Sequence, residues 1–276
     1  MTTFGARLHA AVQQRGPLCA GIDPHAGLLH DWGLDDDVAG LERFAMTAAE
    51  ALAPRVAVVK PQSAFYERFG SRGIAVLERL VTTCREAGAL VLLDVKRGDI
   101  GSTSQAYADA YLDQGSSLAV DAITASPYLG FGSLTPMVDT ARKHDAGLFV
   151  LALTSNKEGP EVQEARTGDG PGDHTVADVV LDHLRALNDG ADPLGSFGAV
   201  VGATIVPGEH RLDIGGPVLA PGFGAQGGTV DDLRRIFGTS VGHVLPSTSR
   251  ELLGQGPDRL GDAADRLNEQ LRGLAG

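Results

Sequence analysis

A single-domain (β/α)8 TIM barrel of parallel strands is the fold this sequence predicts, on three observations. Short apolar runs alternate with helical patterns eight times along the 276 residues. Each run is continuously apolar, as in parallel strands covered on both faces, rather than alternating apolar with polar. Chemical groups collect at the C-terminal ends of the runs, the rim on which a barrel mounts its chemistry. Eight units within about 250 residues favour a closed barrel over an open, Rossmann-like sheet, which stays as the alternative. No linker interrupts the alternation, so residues 1–276 are expected to form one domain.

Taken in order, Phe4, Leu8, Ala11 and Val12 recur at helical spacing and predict a helix over 3–15, stopped by Gly16-Pro17. Strand 1 is expected at 17–23, where Pro24 biases Asp23 to extended backbone. A stripe of Val38, Leu41, Phe44, Ala45, Ala48 and Leu52 predicts a helix over 36–53. Strand 2, 55–61, ends in Lys60-Pro61 and leads to a helix at 71–87. Strand 3 is 89–96 with a helix at 102–113, and strand 4 is 118–124 with a helix at 133–144. Strand 5, 147–153, runs into Thr154-Ser155-Asn156 and a Gly- and Pro-rich stretch to His174, longer than most βα loops, before a helix at 175–189. Strand 6 is 198–204 with a short helix near 207–213, and strand 7 is 218–220 with a helix at 229–237. Strand 8, 242–245, is bounded by Pro246 and followed by helices at 249–253 and 257–273.

Composition narrows the function. With 43% hydrophobic and 21% charged residues the chain can bury a large core. A net charge of -12 with no basic stripe excludes a nucleic-acid backbone as partner. An anionic small molecule would have to be met by a few concentrated cations, and Lys60, Lys96, Lys143 and Lys157 are the only lysines. No apolar run approaches the roughly 20 residues of a membrane span, and the N-terminus lacks the apolar stretch of a signal peptide. The expectation is a soluble, cytoplasmic protein with no membrane partner. Cys19 and Cys84 suit buried thiols rather than a disulfide or zinc framework. The eight histidines show no metal-ligand spacing and are expected mostly at the surface.

The chemically informative stretch is Val91-Leu-Leu-Asp-Val-Lys-Arg-Gly-Asp-Ile100. Strand alternation points Asp94 and Lys96 the same way, toward the packed side, and burying both is tolerable only if they pair or do chemistry. Alternatively the strand stops at Leu93 and the charges are solvated, with Asp99 capping the next helix. Asp23 and Lys60 end the two neighbouring strands, so an acid, a base and an acid–base pair would face one mouth; Thr124, Thr154, Ser155, Thr204 and Ser247 occupy comparable strand ends. After strand 7 comes Pro221-Gly-Phe-Gly-Ala-Gln-Gly-Gly228, and after strand 8 comes Arg250. Barrels bind phosphate between these two loops through glycine N–H groups, and Arg250 would add a bidentate cation. The bland readings are a turn that needs positive φ, and an Arg250 that pairs with a helix neighbour.

Together these residues resemble the orotidine 5'-phosphate decarboxylase family over nearly the whole chain. The matching motifs are Gly21-Ile-Asp23-Pro, Val59-Lys60-Pro, Asp94-Val-Lys96-Arg-Gly-Asp99-Ile, the loop with Gly222, Gly224 and Gln226, and the late Arg250. The resemblance implies decarboxylation of orotidine 5'-phosphate to UMP without metal or cofactor, by a charge network of Lys60, Asp94, Lys96 and Asp99. It implies a homodimer in which Asp99 and Thr103 reach the neighbouring site. Asp23, Lys60, Asp99 and Thr103 would hold the ribose, and Ser155 and Gln226 the pyrimidine. Gln226, Arg250 and the backbone after Gly222 would hold the phosphate. Two other functions stay open on the residues themselves: a Schiff-base aldolase using Lys60 or Lys96, and a phosphate-binding barrel without catalysis.

Overall fold

Cys19 pairs with Val58 on one side and with Ser247 on the other, and this second pairing closes the sheet. The computed structural model describes residues 2–168, 174–205, 210–224 and 227–274. Eight parallel strands follow one another around the barrel in chain order: β1 (Cys19–Ile22), β2 (Val58–Pro61), β3 (Leu90–Arg97), β4 (Ala122–Ala125), β5 (Gly147–Leu153), β6 (Phe197–Val201), β7 (Val218–Pro221) and β8 (Val244–Thr248). The open-sheet alternative is thereby excluded.

Two apolar layers follow from the two-residue period of the strands. Ala20, Val59, Val91, Leu93, Ile123, Leu148, Val150 and Val201 face outward and pack under the helices. Cys19, Val58, Leu90, Leu92, Ala122, Phe149, Val200, Leu219 and Leu245 face inward and fill the lower barrel. The helix Phe4–Arg15 plugs that lower end, where Phe4 meets Phe149 edge-on with ring centroids 6.1 Å apart. Arg7 adds an ion pair to buried Asp121 at 2.7 Å. One step up the same inward faces come Lys60, Asp94, Thr124 and Ser247, so the apolar core gives way to a polar layer at the C-terminal rim.

Several boundaries differ from the sequence expectation. Strand β3 does not stop at Leu93 but runs through Asp94 and Lys96 to Arg97, which overturns the solvated-loop reading of that stretch. Strand β4 begins only at Ala122, and Asp121 just before it turns its carboxylate to Arg7 and to the backbone N–H of Val91. Strand β6 ends at Val201, leaving Thr204 exposed in a turn. Strand β8 continues past Pro246, which removes one backbone donor while Ser247 and Thr248 keep the ladder with β1. Residues 210–213 are not helical, and 206–209 lie outside the described residues. Short helices at Ala26–Asp31, Ala64–Glu67 and Pro160–Gln163 decorate the rim, too brief for periodicity to reveal. Cys19 and Cys84 are free and buried, and burial pushes both thiols up to about 12, so neither is a thiolate nucleophile near neutrality.

Candidate active site

A cavity of about 480 Å³ opens at the C-terminal rim, within the range of small-molecule sites. Its charged centre is the Asp94 carboxylate, held between two ammonium groups. Lys60 Nζ lies 3.3 Å from Asp94 Oδ2 and Lys96 Nζ lies 2.6 Å from Oδ1. Thr124 donates a further hydrogen bond to Oδ1 at 2.8 Å. Asp94 and Lys60 are buried whereas half of Lys96 faces the cavity, so the second lysine has the freedom to meet a bound molecule.

Local sequence explains the placement. Lys60 and Asp94 occupy inward positions at the ends of β2 and β3, directly above Val58 and Leu92. Asp23, just past β1, accepts a hydrogen bond at 3.1 Å from the backbone N–H of Gln62 and so faces the same mouth. Beyond Asp94 the β3–β4 pairing shifts register, and Lys96 adopts φ 45°, a left-handed conformation rare for a side chain of this size. Gly98 follows because a Cβ there would stand 2.3 Å from the carbonyl oxygen of Ser126.

The charges support one another. Burial opposes ionisation of Asp94, but Lys60, Lys96 and the hydrogen bonds from Lys96 and Thr124 outweigh it and hold the carboxyl at about 2. Burial likewise works against the Lys60 ammonium, and the Asp23 and Asp94 carboxylates more than offset it, so its pKa lies above the ordinary lysine value. A carboxyl lowered from about 3.9 unfolded to about 2 folded binds fewer protons in the native state. Its contribution, on the order of 2 kcal/mol, is therefore complete above pH ~4 and lost as pH falls from ~4 to ~2. Acid denaturation followed by circular dichroism should show this loss in the wild type. Asp94→Asn should lack that part of the pH dependence; an unchanged acid profile would contradict the linkage.

The β7 and β8 loops lie across the closed barrel from β3 and β4. They contribute Gly222, Phe223, Ser249 and Arg250 to the cavity wall, beside Pro221 at the end of β7. Gly222 and Gly224 adopt φ 97° and 76°, and a Cβ on Gly224 would collide with the Glu251 carboxylate. Gly222 lines the cavity, while Gly224 serves the turn behind it. Gln226 lies outside the described residues. Thr248 and Ser249 also belong to the cavity wall, but their hydroxyls are buried, with no hydrogen-bond partner among the described residues. Arg250, next along the chain, lines the same wall and brings a guanidinium suited to an anion.

Of the other expected site residues, Ser155 lines the cavity with Thr154 and Asn156. Gln163, on the helix after β5, fixes this rim by accepting from the Thr154 N–H at 2.9 Å and donating to its hydroxyl at 2.7 Å. Thr204 is not in the cavity wall. Neither are Asp99 and Thr103: Asp99 accepts from the Ile100 N–H at 2.8 Å, and Thr103 is exposed on the helix Gly101–Leu112. Polar wall residues that the sequence did not single out include Gln62, His25, Thr248 and Ser249. Gln62 shares the face of Lys60, two residues on, a spacing that could have identified it. His25, expected at the surface, packs against Phe65 with centroids 4.2 Å apart and the rings tilted by 60°, and burial lowers its pKa. Among the described residues no group of three or more His, Cys, Asp or Glu is placed to hold a metal ion, and no helix is long and apolar enough to cross a membrane.

The family model described as orotidine 5'-phosphate decarboxylase / HUMPS matches residues 16–258. The chain belongs to that family. It is 70% identical over 273 residues, 99% of this chain and 100% of the relative, to the orotidine 5'-phosphate decarboxylase of Nocardioides sp. strain JS614. The Streptomyces coelicolor orotidine 5'-phosphate decarboxylase is 60% identical over 99% of this chain and 98% of its own length. Among solved structures, a protein assigned as an orotidine 5'-phosphate decarboxylase from Streptomyces avermitilis superposes with TM-score 0.95 at 59% identity, covering 100% of this chain and 96% of that one. The Leishmania donovani OMP decarboxylase structure superposes with TM-score 0.76 at 30% identity, covering 99% of both chains. Family membership and the enclosed acid–lysine cluster thus meet in one chain, on a fold that hosts many other chemistries.

Proposed function

We propose that this chain catalyses the decarboxylation of orotidine 5'-phosphate to UMP and CO₂ in de novo pyrimidine synthesis, without a cofactor. The observation that carries this reading is Asp94 held ionised between two lysine ammoniums inside the cavity. Breaking the bond between C6 and the carboxylate releases CO₂ and leaves an electron pair on C6. The Lys96 ammonium stabilises that pair as it forms and then supplies the proton that completes UMP. Asp94 lies beside the departing carboxylate, and Lys60 balances its charge. Asp23 and Lys60 bind the ribose and Ser155 the pyrimidine. Gly222, Arg250 and Gln226 take the phosphate, whose binding energy helps to close the rim loops.

Asp99 and Thr103 belong, in this reading, to the site of a partner subunit. Ile100, Tyr128 and Leu129 are exposed on the adjoining loops after β3 and β4, which touch through the Ser126 N–H and the Arg97 carbonyl at 2.8 Å. Such an exposed apolar cluster beside two unused polar site residues supports a homodimer interface. A cytoplasmic location and one working domain over 1–276 complete the reading.

The test follows the absorbance of orotidine 5'-phosphate with purified protein. UMP should form at the same rate with and without EDTA; no UMP, or full loss on chelation, would sink the proposal. A Schiff-base aldolase is disfavoured because its lysine needs a lowered pKa, and Asp23 and Asp94 hold Lys60 in the opposite direction.

A further inference from the structure

Thr124 is the one inward-facing hydroxyl of β4 and is almost wholly buried, at 1% exposure. Its oxygen accepts from the backbone N–H of Lys96 at 2.9 Å and donates to Asp94 Oδ1 at 2.8 Å. The direction of both bonds is forced, since an amide can only donate and an ionised carboxylate can only accept. Lys96 Nζ lies 2.6 Å from the same Oδ1. Three hydrogen bonds therefore close a ring that runs from the Lys96 backbone through Thr124 and Asp94 to the Lys96 ammonium.

The ring sits where the barrel ladder is interrupted. Leu93 pairs with Ile123 and Arg97 with Ala125, so Asp94, Val95 and Lys96 stand opposite Thr124 alone. At this break Lys96 takes φ 45°. A backbone in so sparsely populated a region persists only where its surroundings over-determine it. The Thr124 hydroxyl supplies the acceptor for the Lys96 N–H at the turn, and its proton anchors the carboxylate that the lysine meets.

We infer that Thr124 is a positioning residue, whose hydroxyl orients the Asp94 carboxylate and locks the backbone turn that aims the Lys96 ammonium at the reacting carbon. The aim at a reacting carbon rests on the decarboxylase reading; the hydrogen-bonded ring does not. Thr124 acts through Asp94 and Lys96 and needs no contact with substrate. The charged groups facing the carboxylate are Lys60 from β2 and Lys96 from β3, and neither is altered by changing Thr124.

Full-length Thr124→Val and Thr124→Ser separate the hydroxyl from the volume it occupies. Val keeps the shape and loses both hydrogen bonds, whereas Ser keeps both. Thr124→Val should lower kcat roughly 100-fold, the scale of a misplaced reacting group, while KM stays within about threefold. Thr124→Ser should retain kcat within about fivefold, because the ring is intact. A Val variant with kcat within about threefold of wild type, or a Ser variant as impaired as Val, overturns the inference.

A second measurement does not depend on turnover. Hydrogen exchange at the Lys96 amide should quicken at least about tenfold in Thr124→Val and stay near wild type in Thr124→Ser, with core amides of β2 and β5 unchanged. Unchanged Lys96 exchange in Val overturns the ring even if the wild type proves inactive on orotidine 5'-phosphate, an outcome that would separately sink the functional reading. Should the Val protein fail to fold, Thr124→Ala removes the same hydroxyl and is judged by the same outcomes.

Discussion

Lys96→Ala is expected to lower kcat for orotidine 5'-phosphate by about 10⁴-fold or more while leaving the barrel folded. Two contributions vanish together: electrostatic stabilisation of charge developing on C6, each such donor being worth about 10²–10³-fold, and proton delivery, worth about 10²–10⁴-fold. Stability should change little, because the Lys96 side chain is 44% exposed and Asp94 keeps its bonds to Lys60 and Thr124. Lys60→Ala provides the contrast. That ammonium is buried, and its removal leaves the Asp23 and Asp94 carboxylates less well compensated, so it should cost stability on the order of 3 kcal/mol as well as activity. Single-turnover assays and thermal melts measure the two effects separately. A Lys96→Ala enzyme within about tenfold of wild type would remove Lys96 from the proton-donor role.

The same two lysines show how much was legible in the sequence. Asp23, Lys60 and Asp94 could be read because each ends an apolar run, and in a barrel such positions converge on one rim. The pairing partner of Lys96 could also be read from its two-residue spacing, yet the route could not. Strand alternation treats β3 as regular, whereas the register shift and the φ of 45° at Lys96 depend on Thr124 from another strand. A hydroxyl ending a strand, such as Thr204, looked equivalent to Thr124 but lies outside the cavity, because β6 stops three residues earlier. Ser247 was placed at a strand end correctly although β8 runs on through Pro246, a residue ordinarily taken as a breaker. His25 and Gln62 were overlooked because each follows the charged residue that drew attention, and their approach to the cavity depends on how the chain leaves β1 and β2.

Mixing Asp99→Ala protein with Lys60→Ala protein is expected to restore about a quarter of wild-type activity at equal amounts, although each is nearly inactive alone. In this chain Asp99 binds the Ile100 N–H and does not line the cavity that Lys60, Asp94 and Lys96 share. Its neighbours argue for use elsewhere: Thr103 is exposed one helical turn on, and Ile100 is 62% exposed beside Tyr128 at 78%. If the partner subunit's Asp99 completes the site, a mixed dimer holds one site with both defects and one with neither. Random assortment makes half of all dimers mixed, each with one of two sites intact, which gives about a quarter. An Asp99 acting only within its own chain predicts no such rescue, since every site then contains one defective subunit. Native mass spectrometry establishes that subunits have exchanged, and inactivity after proven exchange would place Asp99 outside the shared site. Rescue would also explain why Gly98, the residue that lets β3 pass close to Ser126, must be followed by a carboxylate that turns away from its own cavity.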